Sequence, residues 1–199
     1  MKRTYKVNEI FYSLQGEGYW TGTPMVFVRL SGCNLDCPWC DTSHQSGTLM
    51  SADEIIARIK EVDYGYDGFD HNCGRVCITG GEPLLQLGYD LINALHRLDY
   101  SIHVETNGTI PRPEMLNWVT MSPKGETVLD NPNEIKIVYE GGDPDLSKWT
   151  EYCPNLFIQP CDTGDPDRNR EILTQAIDYV KRHAEWRLSL QTHKLIDIR

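Results

Sequence analysis

Three cysteines fall within eight residues, Cys33, Cys37 and Cys40, in the spacing C-x3-C-x2-C. A closed structural zinc site wants four tetrahedral ligands, and no fourth Cys or His stands at an obvious spacing; His44 is the only local candidate. An iron–sulfur cubane normally takes four thiolates, so three leave one iron open to a substrate or cofactor. Burial of the three as small hydrophobes fits poorly, because Asn34, Asp36 and Asp41 make the loop polar. Spacing and missing ligand together favour a cluster over structural zinc. About 40 residues further on stands Thr79-Gly80-Gly81-Glu82-Pro83, whose glycines would let backbone approach a ligand closely. Arg29 interrupts the apolar run MVFVRL, so its guanidinium must either reach a ligand or pair with an acid.

The elements that must position these residues alternate. Strands are predicted at Met25–Leu30, Arg75–Thr79, Ser101–Glu105, Trp118–Met121, Glu134–Tyr139, Leu156–Gln159 and Arg187–Gln191. Helices are predicted at Ser51–Lys60, where Ser51 and Glu54 form a capping box, at Leu87–Leu98 and at Arg170–His183. Strands outnumber helices, and polar clusters follow successive strands: GCNLDCPWCDT, GGEP, ETNG, SPK and QPCD. In a mainly parallel sheet these clusters share the carboxyl rim, where ligands bind. No repeat, low-complexity tract or linker divides residues 1–199, so a single domain is expected.

Composition narrows the function classes. The chain of 199 residues carries 19 basic and 29 acidic side chains, net −10, which argues against a nucleic-acid-coating protein. The longest apolar run, Met25–Val28, is far too short to span a bilayer, and the N-terminus lacks the apolar stretch of a secretory signal, so a cytoplasmic address is expected. Seven cysteines, an odd number, do not close into a fully paired disulfide framework.

The triplet, with Trp39 in its aromatic place, resembles the signature of the radical S-adenosylmethionine (SAM) superfamily, and Gly80–Pro83 resembles that superfamily's GGEP segment. The resemblance implies an abbreviated α/β partial barrel, a mainly parallel sheet with few helices. It also implies a 4Fe–4S cluster on Cys33, Cys37 and Cys40, whose open iron chelates SAM. An electron from the reduced cluster cleaves SAM to a deoxyadenosyl radical, which takes hydrogen from the substrate, so no side chain is expected to be catalytic in itself.

Substrate identity rests on other segments. Glu9 through Gly18, Gly22-Thr23-Pro24, Phe27 through Cys33, Cys40-Asp41-Thr42, Glu105 through Gly108, Ser122-Pro123-Lys124 and Trp186 through Lys194 resemble the 7-carboxy-7-deazaguanine synthases, a lyase family of the queuosine and 7-deazapurine pathway. That resemblance implies ring contraction of 6-carboxy-5,6,7,8-tetrahydropterin with loss of ammonia, a magnesium ion held by the Thr42 hydroxyl, an electron donor such as flavodoxin or ferredoxin, and a homodimer. It assigns substrate contacts to Leu14, Gln15, Gly16, Glu17, Arg29, Thr79 and His193. To SAM it assigns Trp39, Gly81, Glu82, Glu105, Ser122, Pro123, Lys124, Gln159, Pro160, Cys161 and Asp162. The backbone and carboxylate of the Gly80–Pro83 segment are expected to receive the SAM ammonium. The residue types suit a flat donor-rich heterocycle with one carboxylate: Gln15 and Glu17 offer amide and acceptor groups, and Arg29 a carboxylate fork.

Two departures and two competing readings accompany this. The stretch between Cys40 and GGEP is compact, which implies fewer helices, and Cys73-x3-Cys77 lacks the companions a second cluster needs. An activase that installs a glycyl radical on a partner enzyme shares the triplet, but the Leu14–Glu17 and Gln191–Lys194 segments disfavour it. A non-catalytic zinc-binding adaptor is the reading from another class.

Overall fold

The computed structural model describes residues 3–40, 42–63 and 73–199; Asp41 of the Cys40-Asp41-Thr42 segment lies outside the described residues. The strands are β1 (Thr4–Leu14), β2 (Pro24–Leu30), β3 (Thr48–Ser51), β4 (Arg75–Gly80), β5 (Ser101–Thr106), β6 (Trp118–Met121), β7 (Glu134–Tyr139), β8 (Leu156–Pro160) and β9 (Trp186–Leu188). The helices are α1 (Ala52–Asp63), α2 (Tyr89–His96), α3 (Pro166–Arg182) and the short α4 (Thr192–Leu195). All strands join one nine-stranded sheet in the order β3-β1-β2-β4-β5-β6-β7-β8-β9. β1 runs antiparallel to β2 and β3, and every pairing from β2 to β9 is parallel. β3 and β9 end the order, so this is an open partial barrel, as expected.

The helices cover one face. Ile55 and Ile59 of α1, Leu91, Ile92 and Leu95 of α2, and Ile172, Ala176 and Tyr179 of α3 are buried against Val26, Val28, Ile78, Ile102, Val119, Ile135 and Ile158 of the strands. Each such aliphatic side chain removed from water contributes about 1.5–3 kcal/mol. The capping box of α1 forms: the Ser51 backbone N–H donates to Glu54 Oε2 at 2.7 Å, and the Glu54 N–H donates back to Ser51 Oγ at 3.4 Å. Asp63, at the end of α1, accepts from the Tyr100 hydroxyl at 2.6 Å and the Cys73 N–H at 3.2 Å, tying the helix to the starts of β4 and β5.

Several predicted boundaries move. α2 is shorter than Leu87–Leu98: the Leu87 N–H closes the preceding turn onto Pro83 O, Gly88 is extended, and Asp99 turns left-handed at φ 58°. α3 starts earlier than Arg170, since Asp165 caps it by accepting from Asp167 N and Arg168 N, with Pro166 at the first helical position. β9 ends at Leu188, and Gln191 instead caps α4.

The eleven-residue β1 lies ahead of Met25–Leu30, the first strand that the sequence pattern predicts. Its burial does not alternate, because a register shift between Val7 and Glu9 breaks the period and both faces are partly covered. Tyr5, Val7 and Ile10 join the helix-covered core, whereas Phe11 packs with Met25, Phe27 and Cys77 on the opposite face. On that second face Trp20 also packs against these residues.

Candidate active site

A cavity of about 590 Å³ opens at the carboxyl ends of the parallel strands. Its wall brings together residues distant in sequence: Leu14, Gln15, Gly16 and Glu17 from the end of β1; Arg29 from β2; Cys33, Cys37, Trp39, Cys40 and Thr42 from the following loop. Thr79 from β4 and Gly81 after it, Glu105 from β5, Ser122 and Lys124 after β6, Lys136 from β7, Gln159 through Asp162 at the end of β8 and just beyond, and Gln191, His193 and Lys194 also line it. All three cysteines of the triplet are free thiols on this wall. Burial raises the Cys37 thiol, the Lys124 ammonium opposes that, and the neighbouring Cys40 and Cys33 sulfurs add to it, so the three share one electrostatic environment.

The turn after β4 and the cysteine loop are packed backbone to backbone. The Glu82 N–H donates to Gly32 O at 2.9 Å and the Gly81 N–H to Leu30 O at 3.0 Å. A Cβ on Gly81 would stand 2.1 Å from Gly32 O, so only glycine allows this approach.

Glu82 stands behind the cavity wall. Its side chain is 0% exposed and is absent from the cavity wall. Its Oε1 accepts from the Thr106 hydroxyl (2.8 Å) and the Leu84 N–H (2.9 Å), and its Oε2 from the Asn107 N–H (2.7 Å). The carboxylate is thus spent on joining the β4 and β5 rim turns, and burial raises its pKa against those three donors. Pro123 likewise does not line the cavity.

Arg29 realises both of its options: its Nε donates to Glu9 Oε1 at 2.9 Å, and it still lines the cavity. Glu9 Oε2 accepts from the Arg199 guanidinium at 2.9 Å. Lys124 Nζ lies 4.5 Å over the Trp39 ring and donates to Ser122 Oγ at 2.6 Å. Burial, with repulsion from Lys136, lowers its pKa to about 8. Asp162 accepts from Lys194 Nζ at 2.9 Å, and that bond, with the Gly164 N–H, holds its pKa at about 2.

The sequence reading missed the floor. Lys136, 3% exposed, donates to Glu17 Oε2 and to Glu105 Oε2 (2.9 Å). Burial works against its charge, but Glu105, Glu17 and Glu134 outweigh that and hold the ammonium above the ordinary lysine range. Burial likewise opposes ionisation of Glu17, yet Lys136 and the Gln191 amide, which donates to Glu17 Oε1 at 3.0 Å, bring it below the ordinary carboxylate range. The signal was present: Lys136 interrupts Ile135, Ile137 and Val138 just as Arg29 interrupts its own apolar run. Under this floor Tyr19, Trp20, His103 and Trp118 close the far end of the barrel, with Trp20 and His103 ring centroids 5.0 Å apart and Tyr19 and Trp118 4.9 Å apart.

The donor set fits a cubane with a free iron. Cys33, Cys37 and Cys40 line one cavity wall as free thiols, and a cubane asks each thiolate to bind its own iron. Gly81 and the rim turns leave room beside the thiols for a ligand. This open barrel with a three-cysteine rim loop is the arrangement of a radical SAM protein, and the family model "Radical SAM superfamily" matches residues 27–119. A 7-carboxy-7-deazaguanine synthase of Bacteroides thetaiotaomicron is 50% identical over 98% of both chains, and one of Burkholderia multivorans is 38% identical over 98% of this chain and 99% of its own. The crystal structure of QueE from Escherichia coli superposes with a TM-score of 0.72 at 30% identity, covering 94% of this chain and 93% of that one. The chain belongs to the 7-carboxy-7-deazaguanine synthase family. Membership of the radical SAM superfamily implies a 4Fe–4S cluster and SAM.

Proposed function

We propose that this chain, a single domain over residues 1–199, is a lyase that converts 6-carboxy-5,6,7,8-tetrahydropterin to 7-carboxy-7-deazaguanine with loss of ammonia. One observation carries the reading: a single cavity brings the cysteine triplet to the same wall as the Leu14–Glu17 run and His193 and Lys194, the segments where the resemblance is most specific. When bound, the cluster and SAM supply the one-electron chemistry that starts hydrogen abstraction from the substrate.

The chain's own residues bind, orient and enclose. Cys33, Cys37 and Cys40 would hold the cluster, with Lys124 over Trp39 as a cation beside the thiolates. The backbone at Gly81, with Glu105, Ser122 and the Gln159–Asp162 turn, would receive SAM; Glu82 acts from behind by fixing the turn. Arg29, steadied by Glu9, would take the substrate carboxylate, while Gln15, Glu17 and the Leu14–Gly16 backbone accept and donate along the ring edge. Thr42 would offer its hydroxyl to a magnesium ion that keeps most of its waters. Thr79 and His193 close the wall on either side. A small one-electron donor of the flavodoxin or ferredoxin type would reduce the cluster, and the chain would act as a cytoplasmic homodimer. Among the described residues no helix is long and apolar enough to cross a membrane.

The test is anaerobic turnover by reconstituted protein with SAM, reductant, magnesium and the carboxytetrahydropterin. The expected products are 7-carboxy-7-deazaguanine and ammonia without net consumption of SAM. Stoichiometric SAM loss with no deazaguanine would favour the activase reading, and colourless zinc-loaded protein the adaptor reading.

A further inference from the structure

Among the buried charges, Lys136 has no role in the reading above. It lies on β7 at the floor of the cavity, and its ammonium bridges two carboxylates that line the same cavity, Glu17 after β1 and Glu105 from β5. Each carboxylate has one further partner, an amide: Gln191 donates to Glu17 Oε1 at 3.0 Å, and Gln15 donates to Glu105 Oε1 at 3.1 Å. The two acids therefore belong to one network spanning β1, β5, β7 and the C-terminal segment, with a single buried cation at its centre. Two carboxylates sharing a site without a cation cannot both stay ionised, because the second charge is opposed by the first in a low-dielectric setting. The ammonium between them fixes carboxylate oxygens at the cavity floor, acceptors that complement a heterocycle presenting several N–H donors.

We propose that Lys136 is a positioning residue for the site, its buried ammonium clamping Glu17 and Glu105 side by side at the cavity floor so that the Glu17 oxygens face the ring N–H groups of the heterocycle while Glu105 is held on the SAM side. This rests on the reading of the substrate given above. The charged and titratable groups facing the clamp are Glu134 on the same strand, Lys124 after β6, His193 from α4 and the Cys77 thiol of β4. Glu134 favours the charge on Lys136, and Lys136 in turn disfavours the charge on Lys124.

The experiment compares the cluster-loaded wild type with Lys136→Met and Lys136→Arg, using 7-carboxy-7-deazaguanine as the binding probe across about pH 5.5–8, the range in which a displaced carboxylate pair would titrate. Wild type should bind with affinity nearly flat over that range. Lys136→Met should weaken binding at least tenfold, roughly, and further as pH falls, with KM raised more than kcat is lowered. Iron content should stay unchanged, and Lys136→Arg should recover most of the loss because it restores the charge. Folded Lys136→Met that binds with wild-type affinity and pH profile would overturn the proposal. Should Lys136→Met not fold, the Glu17 carboxyl can be followed in the wild type by carbon NMR: titration below the ordinary carboxylate range is expected, and titration within it overturns the clamp. Wild-type protein that does not bind the probe at all, while Glu17 still titrates low, would contradict the substrate reading instead of the clamp.

Discussion

Glu134 on β7 and His103 on β5 line one small pocket beneath the cavity floor and titrate in opposite directions. Burial raises the Glu134 carboxyl from 4.5 to about 7, with Lys136 opposing, and burial lowers His103 from 6.5 to about 4, helped by Arg75. Between about pH 4.5 and 6.5 the unfolded chain ionises Glu134's carboxyl while the folded one keeps it neutral, so that group's contribution falls as pH rises. Over the same window the unfolded chain protonates the His103 ring and the folded one does not, so its contribution rises with pH. Each effect is on the order of 3 kcal/mol across its window, and they nearly cancel in the wild type. Glu134→Gln should therefore leave stability climbing with pH, and His103→Gln should leave it falling towards pH 7, as read by denaturant melts at several pH values. Two variants with the same slope would contradict the assignment. Glu82 gives a second residue-scale expectation: Glu82→Ala strands the Thr106 hydroxyl and the Asn107 and Leu84 N–H groups, and should cost about 2–4 kcal/mol in the same melts. Near-wild-type stability would show that the rim turns hold without it. At this scale the rim was largely legible in the sequence, because cysteines and a glycine turn announce their chemistry. The floor was not read, since a lysine among isoleucines shows that it needs a partner but not which acids, far away in the chain, supply one.

At the scale of elements, the turn after β4 and the cysteine loop behave as one piece. Gly81→Ala places a methyl 2.1 Å from Gly32 O, so one backbone must retreat from the other. Iron incorporation by reconstituted Gly81→Ala should drop severely while circular dichroism stays near wild type. Gly125→Ala, whose added methyl meets nothing within 4 Å, should load normally. Equal loading of both variants would separate the turn from the cluster site. The elements that sequence patterns revealed are those with one clear face. Buried parallel strands such as Val76–Ile78 read as continuous apolar runs, and α1 and α3 carry an apolar stripe with an N-terminal cap. β1 was hidden because it pairs on both sides, carries a bulge and serves two cores, so neither alternation nor an unbroken apolar run survives in its sequence. β3 and α4, four residues each, are too short to leave a period.

Across the whole molecule, the two ends of the described chain meet at the site. The Thr192 N–H donates to Gly16 O at 2.9 Å, Ser13 Oγ donates to Arg199 O at 2.6 Å, and Arg199 shares Glu9 with Arg29. A Cβ on Gly16 would fall 2.0 Å from His193 Nδ1, which shows how closely the C-terminal segment lies on the end of β1. Removing residues 192–199 should leave the sheet and iron loading intact but weaken binding of 7-carboxy-7-deazaguanine by roughly tenfold or more, since the segment supplies one wall and holds another. Calorimetric titration of the truncated protein checks this, and unchanged affinity would remove the segment from the site.

Cys33, Cys37 and Cys40 alone are expected to hold a cubane in this cavity with one iron left for SAM. Electron paramagnetic resonance of the reduced, reconstituted protein with and without SAM tests it most directly, in the wild type and in Cys→Ala variants. The predicted result is a cluster signal that changes shape when SAM is added, is lost in Cys33→Ala, Cys37→Ala and Cys40→Ala, and persists in Cys73→Ala and Cys153→Ala. A signal indifferent to SAM, or one that survives loss of any member of the triplet, would contradict it.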